Sequence, residues 1–307
     1  MSEKITFLGT GSAIPTLHRN PSAQALSVDD RIYLIDCAEA TQLQMQRFGV
    51  KMQRLRAVFI SHLHGDHFFG LVGLISTLHL QGRKARLDIF GPDGLEQILT
   101  IQLAYARHDL AYEINYHTVD TTVYQKVYTD DKIDVFTLPL QHRLPTAGYL
   151  FRRIPKPRKI CREFILSQDI PLDWYPRIKA GEDYVDRMGN VFPNERITSP
   201  SPRFSYAYCS DTRYSEAIIP FVEEVDLLYH EASFSDAHAD LAAAHLHSTA
   251  RQAAIIARRA RVKQLVIGHF SNRYSTPDLL LAEARSEFPP TFAAVDGAVW
   301  ERGNLLR

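Results

Sequence analysis

The stretch Ser61-His62-Leu63-His64-Gly65-Asp66-His67 follows directly on the apolar run Ala57-Val58-Phe59-Ile60, so a strand delivers three imidazoles and a carboxylate at its carboxyl end. In extended backbone His62 and His64, two apart, project to one side. Gly65 then lets the chain turn back, and Asp66 and His67 face a second point. Imidazole and carboxylate donors at this spacing are metal-ligand chemistry, and a loop of this kind can serve two ions.

Two ions need more donors than one loop holds. His142 follows the strand expected over Ile133 to Leu138, Asp211 follows Tyr206 to Cys209, and His269 follows Leu265 to Gly268. In open α/β architectures ligands gather beyond the carboxyl ends of strands, so all three can converge on the His62 loop. The spacing predicts one ion on His62, His64 and His142, a second on Asp66, His67 and His269, and Asp211 bridging both. Donors without thiolates suit Zn²⁺, with Mn²⁺ or Fe as substitutes. Two such ions support hydrolysis rather than redox chemistry. His79, His108, His117 and His238 lack this context and read as structural or surface residues.

Strand and helix periods alternate along the chain and predict an α/β fold of two mixed sheets with helices outside each. Strands are expected over Lys4 to Leu8, Gln24 to Val28, Ile32 to Ile35, Leu87 to Phe90, Tyr112 to Thr118, Thr122 to Tyr128, Gly148 to Arg152, Leu227 to Tyr229 and Thr291 to Val295. Helices are expected over Thr41 to Phe48, Phe68 to Leu80, Leu95 to Tyr105, His247 to Arg259 and Pro277 to Phe288. The organisation is a single domain over residues 1–307 with an insert over 152–198. Prolines 155, 157, 171, 176 and 193 break that insert, which does not read as core. It opens with Arg152, Arg153, Lys156, Arg158, Lys159 and Arg162 before its first acid, Glu163.

Lys plus Arg equals Asp plus Glu at 35 each, so no global field marks a polyanionic partner and any nucleic-acid contact must be local. Three widely separated cysteines, Cys37, Cys161 and Cys209, argue for reduced thiols in a cytoplasmic protein. Neither a signal segment nor a stretch of membrane-spanning length is apparent, so no membrane partner is expected.

The His62 loop resembles the signature of the metallo-β-lactamase superfamily, which implies a four-layered αβ/βα sandwich. Phe59 through Leu71, His230-Glu231-Ala232-Ser233-Phe234, His247-Ser248-Thr249 with Gln252 to Ile255, and Gly268 through Tyr274 resemble, in order, the motifs of the ribonuclease Z family. That resemblance runs over nearly the whole chain. It implies a zinc-dependent endoribonuclease with two Zn²⁺ per chain. The implied substrate is precursor tRNA, cut beyond the discriminator region to release the 3′ trailer, leaving a 3′-hydroxyl and a 5′-phosphate. Asp66 is expected both to ligate and to accept or orient the proton of the attacking water, and His247, held by Glu231, resembles the family's His and Glu pair that protonates the leaving oxygen. The insert is then similar to the family's flexible arm, a tRNA-binding exosite. Arg152, Arg153, Lys156, Arg158, Lys159, Arg162 and Lys179 are its expected RNA contacts, with Arg19 in the loop Pro15 to Asn20. A single-domain chain with one arm resembles the short, homodimeric form.

Three departures from the family pattern stand out. Leu17 replaces a lysine. Alanines 38 and 40 replace glycines, so the turn Asp36 to Gln42 is expected to avoid positive φ at both. The arm has Leu172-Asp173-Trp174 in place of a glycine-proline run. A competing reading is a phosphodiesterase of broader or small-molecule specificity on the same metal site. A further alternative is an RNA-binding module without catalysis, against which the complete ligand set speaks.

Overall fold

The computed structural model describes residues 3–105, 110–201, 203–301 and 303–306, so His108 lies outside the described residues. One eight-stranded sheet runs edge to edge through Asn304–Leu306, Val299–Glu301, Glu3–Gly9, Ala23–Val28, Arg31–Ile35, Leu55–Phe59, Leu87–Gly91 and Ile114–Thr118. The other, seven-stranded, runs through Thr291–Ala293, Leu265–Gly268, Leu227–Glu231, Ser205–Cys209, Ala147–Arg153, Ile133–Pro139 and Lys126–Thr129.

Successive residues of a strand face opposite sides, and the apolar pairs in this chain use both. Phe7, Ile35 and Phe59 point between the sheets, while their neighbours Leu8, Leu34 and Val58 point outward beneath helices. The inner core is aromatic: Phe59 lies 4.9 Å from Phe90 and 5.3 Å from both Tyr149 and Phe151, centroid to centroid. Helices Thr41–Arg47, Leu71–Leu80 and Leu95–Tyr105 cover the first sheet, burying Met45, Leu74 and Leu99. Ala250–Arg259 and Asp278–Glu287 cover the second, burying Ala253, Ile256 and Leu280. Four layers result, helix, sheet, sheet and helix, as the superfamily resemblance implies.

Three local features differ from expectation. The helix predicted over Phe68 to Leu80 is two helices, Gly65–Phe68 and Leu71–Leu80, joined through Gly70. A Cβ at Gly70 would sit 1.9 Å from the Ala38 carbonyl oxygen, so only glycine lets the Cys37-Ala38 turn pack against the junction. Ala40 does not avoid the left-handed region: it caps Thr41–Arg47 at φ 60° and ψ 5°. Helix Ala239–His245 and the hairpin Val299–Glu301 with Asn304–Leu306 have no counterpart in the expected elements.

The insert also carries more structure than its prolines suggest. Lys159–Ile160 pairs with Thr198–Ser199, Tyr184–Val185 pairs with Val191–Phe192, and helices Arg162–Ser167 and Trp174–Ala180 flank them. Ile170, Ile178, Tyr184 and Ile197 form a small core of their own, separate from the three cores of the sandwich. The insert leaves and re-enters between two paired strands, where the Arg153 amide donates to the Phe204 carbonyl at 2.8 Å. Arg153 itself turns inward. Its guanidinium, with the side chain 4% exposed, pairs with Glu3 and with Asp29.

Candidate metal centre

The strands Leu55–Phe59, Ile133–Pro139, Ser205–Cys209 and Leu265–Gly268 end within a few residues of His62, His142, Asp211 and His269. The last two run in the same direction as Leu227–Glu231, which lies between them, so their carboxyl ends open onto one side. The seven residues expected as ligands come together there. His62 Nε2 and His142 Nε2 lie 2.9 and 3.4 Å from His64 Nδ1. Asp66 Oδ2 lies 3.6 Å from the Nε2 atoms of both His67 and His269. Asp211 divides its two oxygens between these groups. Oδ2 is 3.7 and 3.8 Å from His62 and His142, and Oδ1 is 3.3 and 3.2 Å from His67 and His269.

The donor set fits metal ions. His67 Nε2, His269 Nε2 and Asp211 Oδ1 are buried without a hydrogen-bond partner, which is costly unless a cation takes their lone pairs. Burial holds His62, His64 and His142 below the ordinary imidazole range, so they stay neutral, as ligands must. Burial opposes ionisation of Asp211, but the surrounding imidazoles His269 and His67 outweigh it and hold the carboxyl well below its usual range. Burial likewise works against a charged His67, yet Asp211, Asp66 and Asp36 raise it well above an ordinary histidine. The pocket concentrates negative charge where a cation would sit.

A ring of partners behind the ligands fixes their orientation, and here the sequence reading missed residues. Asp36 is fully buried and accepts from His67 Nδ1 at 2.7 Å, Tyr208 Oη at 2.6 Å, and the Ser61 amide and hydroxyl at 2.7 and 3.0 Å. With its proton on Asp36, the Ser61 hydroxyl is left to accept from His62 Nδ1 at 3.0 Å. His142 Nδ1 donates to the Leu246 carbonyl at 3.0 Å, and His269 Nδ1 lies 2.9 Å from Ser233 Oγ. Four of the five imidazoles are thus held by the ring nitrogen that faces away from the cluster, an arrangement that fixes tautomer and ring angle. Asp36 was findable: like Asp211, it stands at the end of an apolar strand, Ile32 to Ile35.

Beside the cluster, Glu231 is fully buried and accepts from His247 Nδ1 at 3.0 Å. The amides of Ser248, Ser233 and Thr212 also donate to it, at 2.9, 3.0 and 3.2 Å. Burial disfavours the imidazolium of His247, but attraction to Glu231 prevails and pushes its pKa up to about 9. His247 stands just before a capping box in which Thr249 and Gln252 close the first turn of Ala250–Arg259. Leu246, left-handed at φ 57°, ends Ala239–His245 and swings His247 toward the cluster, with its ring 5.1 Å from His142 and 5.6 Å from His269. A cavity of about 680 Å³ opens over this arrangement, lined among others by His64, Asp66, His142, Asp211 and His247.

The chain is 46% identical over 292 residues to ribonuclease Z of Bacteroides fragilis, covering 95% of this chain and 96% of that one. It is 44% identical over 291 residues to ribonuclease Z of Porphyromonas gingivalis, covering 94% and 96%. The chain belongs to the ribonuclease Z family. It is therefore an endoribonuclease, a hydrolase, and its His and Asp cluster has the donors to hold metal. Among solved structures the human short-form tRNase Z aligns with a TM-score of 0.69 at 27% identity, covering 97% of this chain and 98% of that chain. The metallo-β-lactamase fold protein YhfI of Bacillus subtilis, 22% identical over 98% of this chain and 100% of its own, aligns with a TM-score of 0.67 and shares the fold. A family model described as anti-Pycsar protein Apyc1 matches residues 3–147, which include the His62 loop and His142 but neither Asp211 nor His269.

The expected RNA contacts divide sharply. Lys159, Arg162 and Lys179 are exposed on the insert, and Arg152 is exposed with its guanidinium 5.3 Å from the Phe136 ring. Lys156 lies 3.0 Å from Asp29, and Arg158 donates to Thr198 Oγ1. Arg153 is buried in its ion pairs and has no surface to offer a phosphate. Arg19 is half-buried and donates to the carbonyls of Tyr274 and Ser275 at 2.9 and 3.1 Å, which makes it a brace between two loops. His79, His117 and His238 lie outside the cluster; His238 Nδ1 faces Tyr274 Oη at 2.9 Å. Among the described residues no helix is long and apolar enough to cross a membrane.

Proposed function

We infer that this chain hydrolyses the phosphodiester beyond the discriminator region of precursor tRNA, releasing the 3′ trailer. The observation that carries the reading is the Glu231–His247 pair poised beside a cluster whose Asp211 faces two ligand groups at once. The chemistry of the donor set supports two Zn²⁺, one against His62, His64 and His142 and one against Asp66, His67 and His269, with Asp211 shared. Ions held there supply Lewis-acid stabilisation for charge developing at phosphorus and make water more acidic.

This chain's own groups do the rest. Asp66, whose Oδ2 is steadied by the Ala13 amide at 2.7 Å, accepts the proton of the attacking water. A bond from the water oxygen to phosphorus forms as the bond to the 3′-oxygen breaks. His247, kept protonated and aimed by Glu231, gives its proton to that leaving oxygen. The products are a 3′-hydroxyl on the tRNA and a 5′-phosphate on the trailer.

The insert, with Lys159, Arg162 and Lys179 exposed, supports a role as an RNA exosite. Strand 147–153 runs opposite to strand 205–209, so the insert leaves the sheet at the end away from the metal cluster. An arm rooted there is better placed to hold RNA bound to a second copy than to its own centre, which supports a homodimer. The three unpaired cysteines support a reducing, cytoplasmic setting.

The decisive experiment is cleavage of a trailer-bearing pre-tRNA by purified protein, with chelator and then with zinc restored. Failure of the zinc-loaded protein to cut would overturn the reading. Replacing residues 154–203 by a short glycine turn tests the arm. Pre-tRNA cleavage should collapse while hydrolysis of a nitrophenyl phosphodiester persists, and equal loss of both would remove the exosite role. Mixing arm-deleted and His247→Ala chains should restore cleavage if the arm serves its partner.

A further inference from the structure

The rim of the metal cavity carries two guanidiniums that no part of the mechanism uses. Arg143 directly follows His142, is exposed, and lies with Nη2 3.3 Å from His245 Nδ1 and 3.4 Å from the Ala244 carbonyl. Arg273 is exposed too, with Nε 3.2 Å from Ser271 Oγ and its guanidinium carbon 5.2 Å from the centroid of Phe234. Both line the cavity, and among the described residues no carboxylate pairs with either. Many other arginines on this surface, such as Arg177, Arg251, Arg259 and Arg261, face an acid. Two guanidiniums without counter-ions beside a centre rich in carboxylates are placed for an anion that arrives from outside.

The side chains between them define where that anion lies. The rings of Phe234 and His245 are parallel to within 9° at 6.5 Å, and Phe234 lies 6.0 Å from His247. Arg143, His245, Phe234 and Arg273 therefore form a continuous rim on the His247 side of the cluster. The same cavity is also lined by Ala13, Pro15 and Phe69, which carry no charge.

We propose that Arg143 and Arg273 are positioning residues that hold backbone phosphates of the RNA on the side of the leaving 3′-oxygen, the tRNA side rather than the trailer side. The inference rests on the reading above, because His247 marks the leaving-oxygen side only if it is the proton donor. Each guanidinium presents a planar fork suited to a phosphate. Held by carbonyl, imidazole, hydroxyl and ring contacts, neither must give up a carboxylate to bind one.

The test uses the zinc-loaded, full-length protein and a trailer-bearing pre-tRNA. Arg143→Ala and Arg273→Ala should each raise KM about tenfold with kcat within about twofold, and each should flatten the slope of log KM against log salt by about 0.7. Inhibition by the mature tRNA product should weaken by the same factor as KM, whereas inhibition by a 5′-phosphorylated trailer oligonucleotide should not change. Arg143→Lys should restore much of KM, as a phosphate contact allows. Unchanged KM and salt slope in both variants, or weakening confined to the trailer, would overturn the proposal while leaving the cleavage reading intact. If wild-type protein does not cut pre-tRNA at all, it is the functional reading that fails. Where an alanine variant melts early, Arg143→Gln and Arg273→Gln carry the same expectation.

Discussion

Nδ1 of His67 lies 2.7 Å from Oδ2 of Asp36, and both side chains are fully buried. The carboxylate can only accept, so it fixes a proton on Nδ1 and turns Nε2 toward Asp211, where an ion can take its lone pair. Asp36 belongs to the scaffold of the centre rather than to its ligands. Asp36→Asn puts an amide donor opposite groups that already donate, so metal affinity should fall by about 10- to 100-fold. Stability should drop by about 2 to 4 kcal/mol as the buried donors lose their acceptor. Zinc titration and a denaturant curve measure the two; unchanged affinity would show that the imidazole is aligned by packing alone.

Glu231 sets the proton affinity of His247. In metal-free protein an NMR titration of His247 should give a midpoint near 9, and Glu231→Gln should bring it down toward the ordinary imidazole value. Because the folded-state pKa is raised above its unfolded value, the pair contributes its stability in full below about pH 6.5 and loses it as pH rises through about 9. Glu231→Gln should remove that slope from a plot of stability against pH.

His247→Ala should leave metal content near that of wild type and slow pre-tRNA cleavage by about 10²- to 10⁴-fold, the usual worth of a general acid. Loss of metal in this variant would instead assign His247 to the ligand set. That alternative is concrete, since His247, Asp211 and His269 also lie close enough to share an ion.

Ala40 holds φ 60°, a conformation that costs a residue with a Cβ about 1 kcal/mol. Ala40→Gly should therefore stabilise the fold by up to about 1 kcal/mol despite the extra freedom of the unfolded chain. A thermal melt showing a lower midpoint would mean that the methyl packs usefully in this turn.

Removing metal leaves His67 Nε2, His269 Nε2 and Asp211 Oδ1 buried without partners. A ligand present at about a thousand times its dissociation constant contributes about 4 kcal/mol to the folded state. Chelation should therefore lower the melting temperature by about 8 °C or more. An unchanged melt on loss of measured metal would separate the centre from folding.

Much of the centre was legible in the chain. A ligand at the end of a strand is a local event: an apolar run, then a His or Asp, and strands that run the same way in these mixed sheets bring such ends together. His62, His64, Asp66, His67, His142, Asp211 and His269 could be read in that way, and the layered fold followed from alternating periods. Partnership is not local. Asp36 meets Tyr208 across 172 residues and His142 meets Leu246 across 104, so nothing near either position announces the contact. Charge patterning counted Arg153 with the basic stretch, yet only the packed sheets turn it inward to Glu3 and Asp29. Spacing likewise could not reveal that proline-broken segments close a small core around Ile178 and Tyr184, because short elements gain stability only from one another. The donors of the metal centre were set by the sequence alone; which oxygen of Asp211 faces which imidazole, and which arginines remain free to meet a phosphate, were decided by burial and the register of the two sheets.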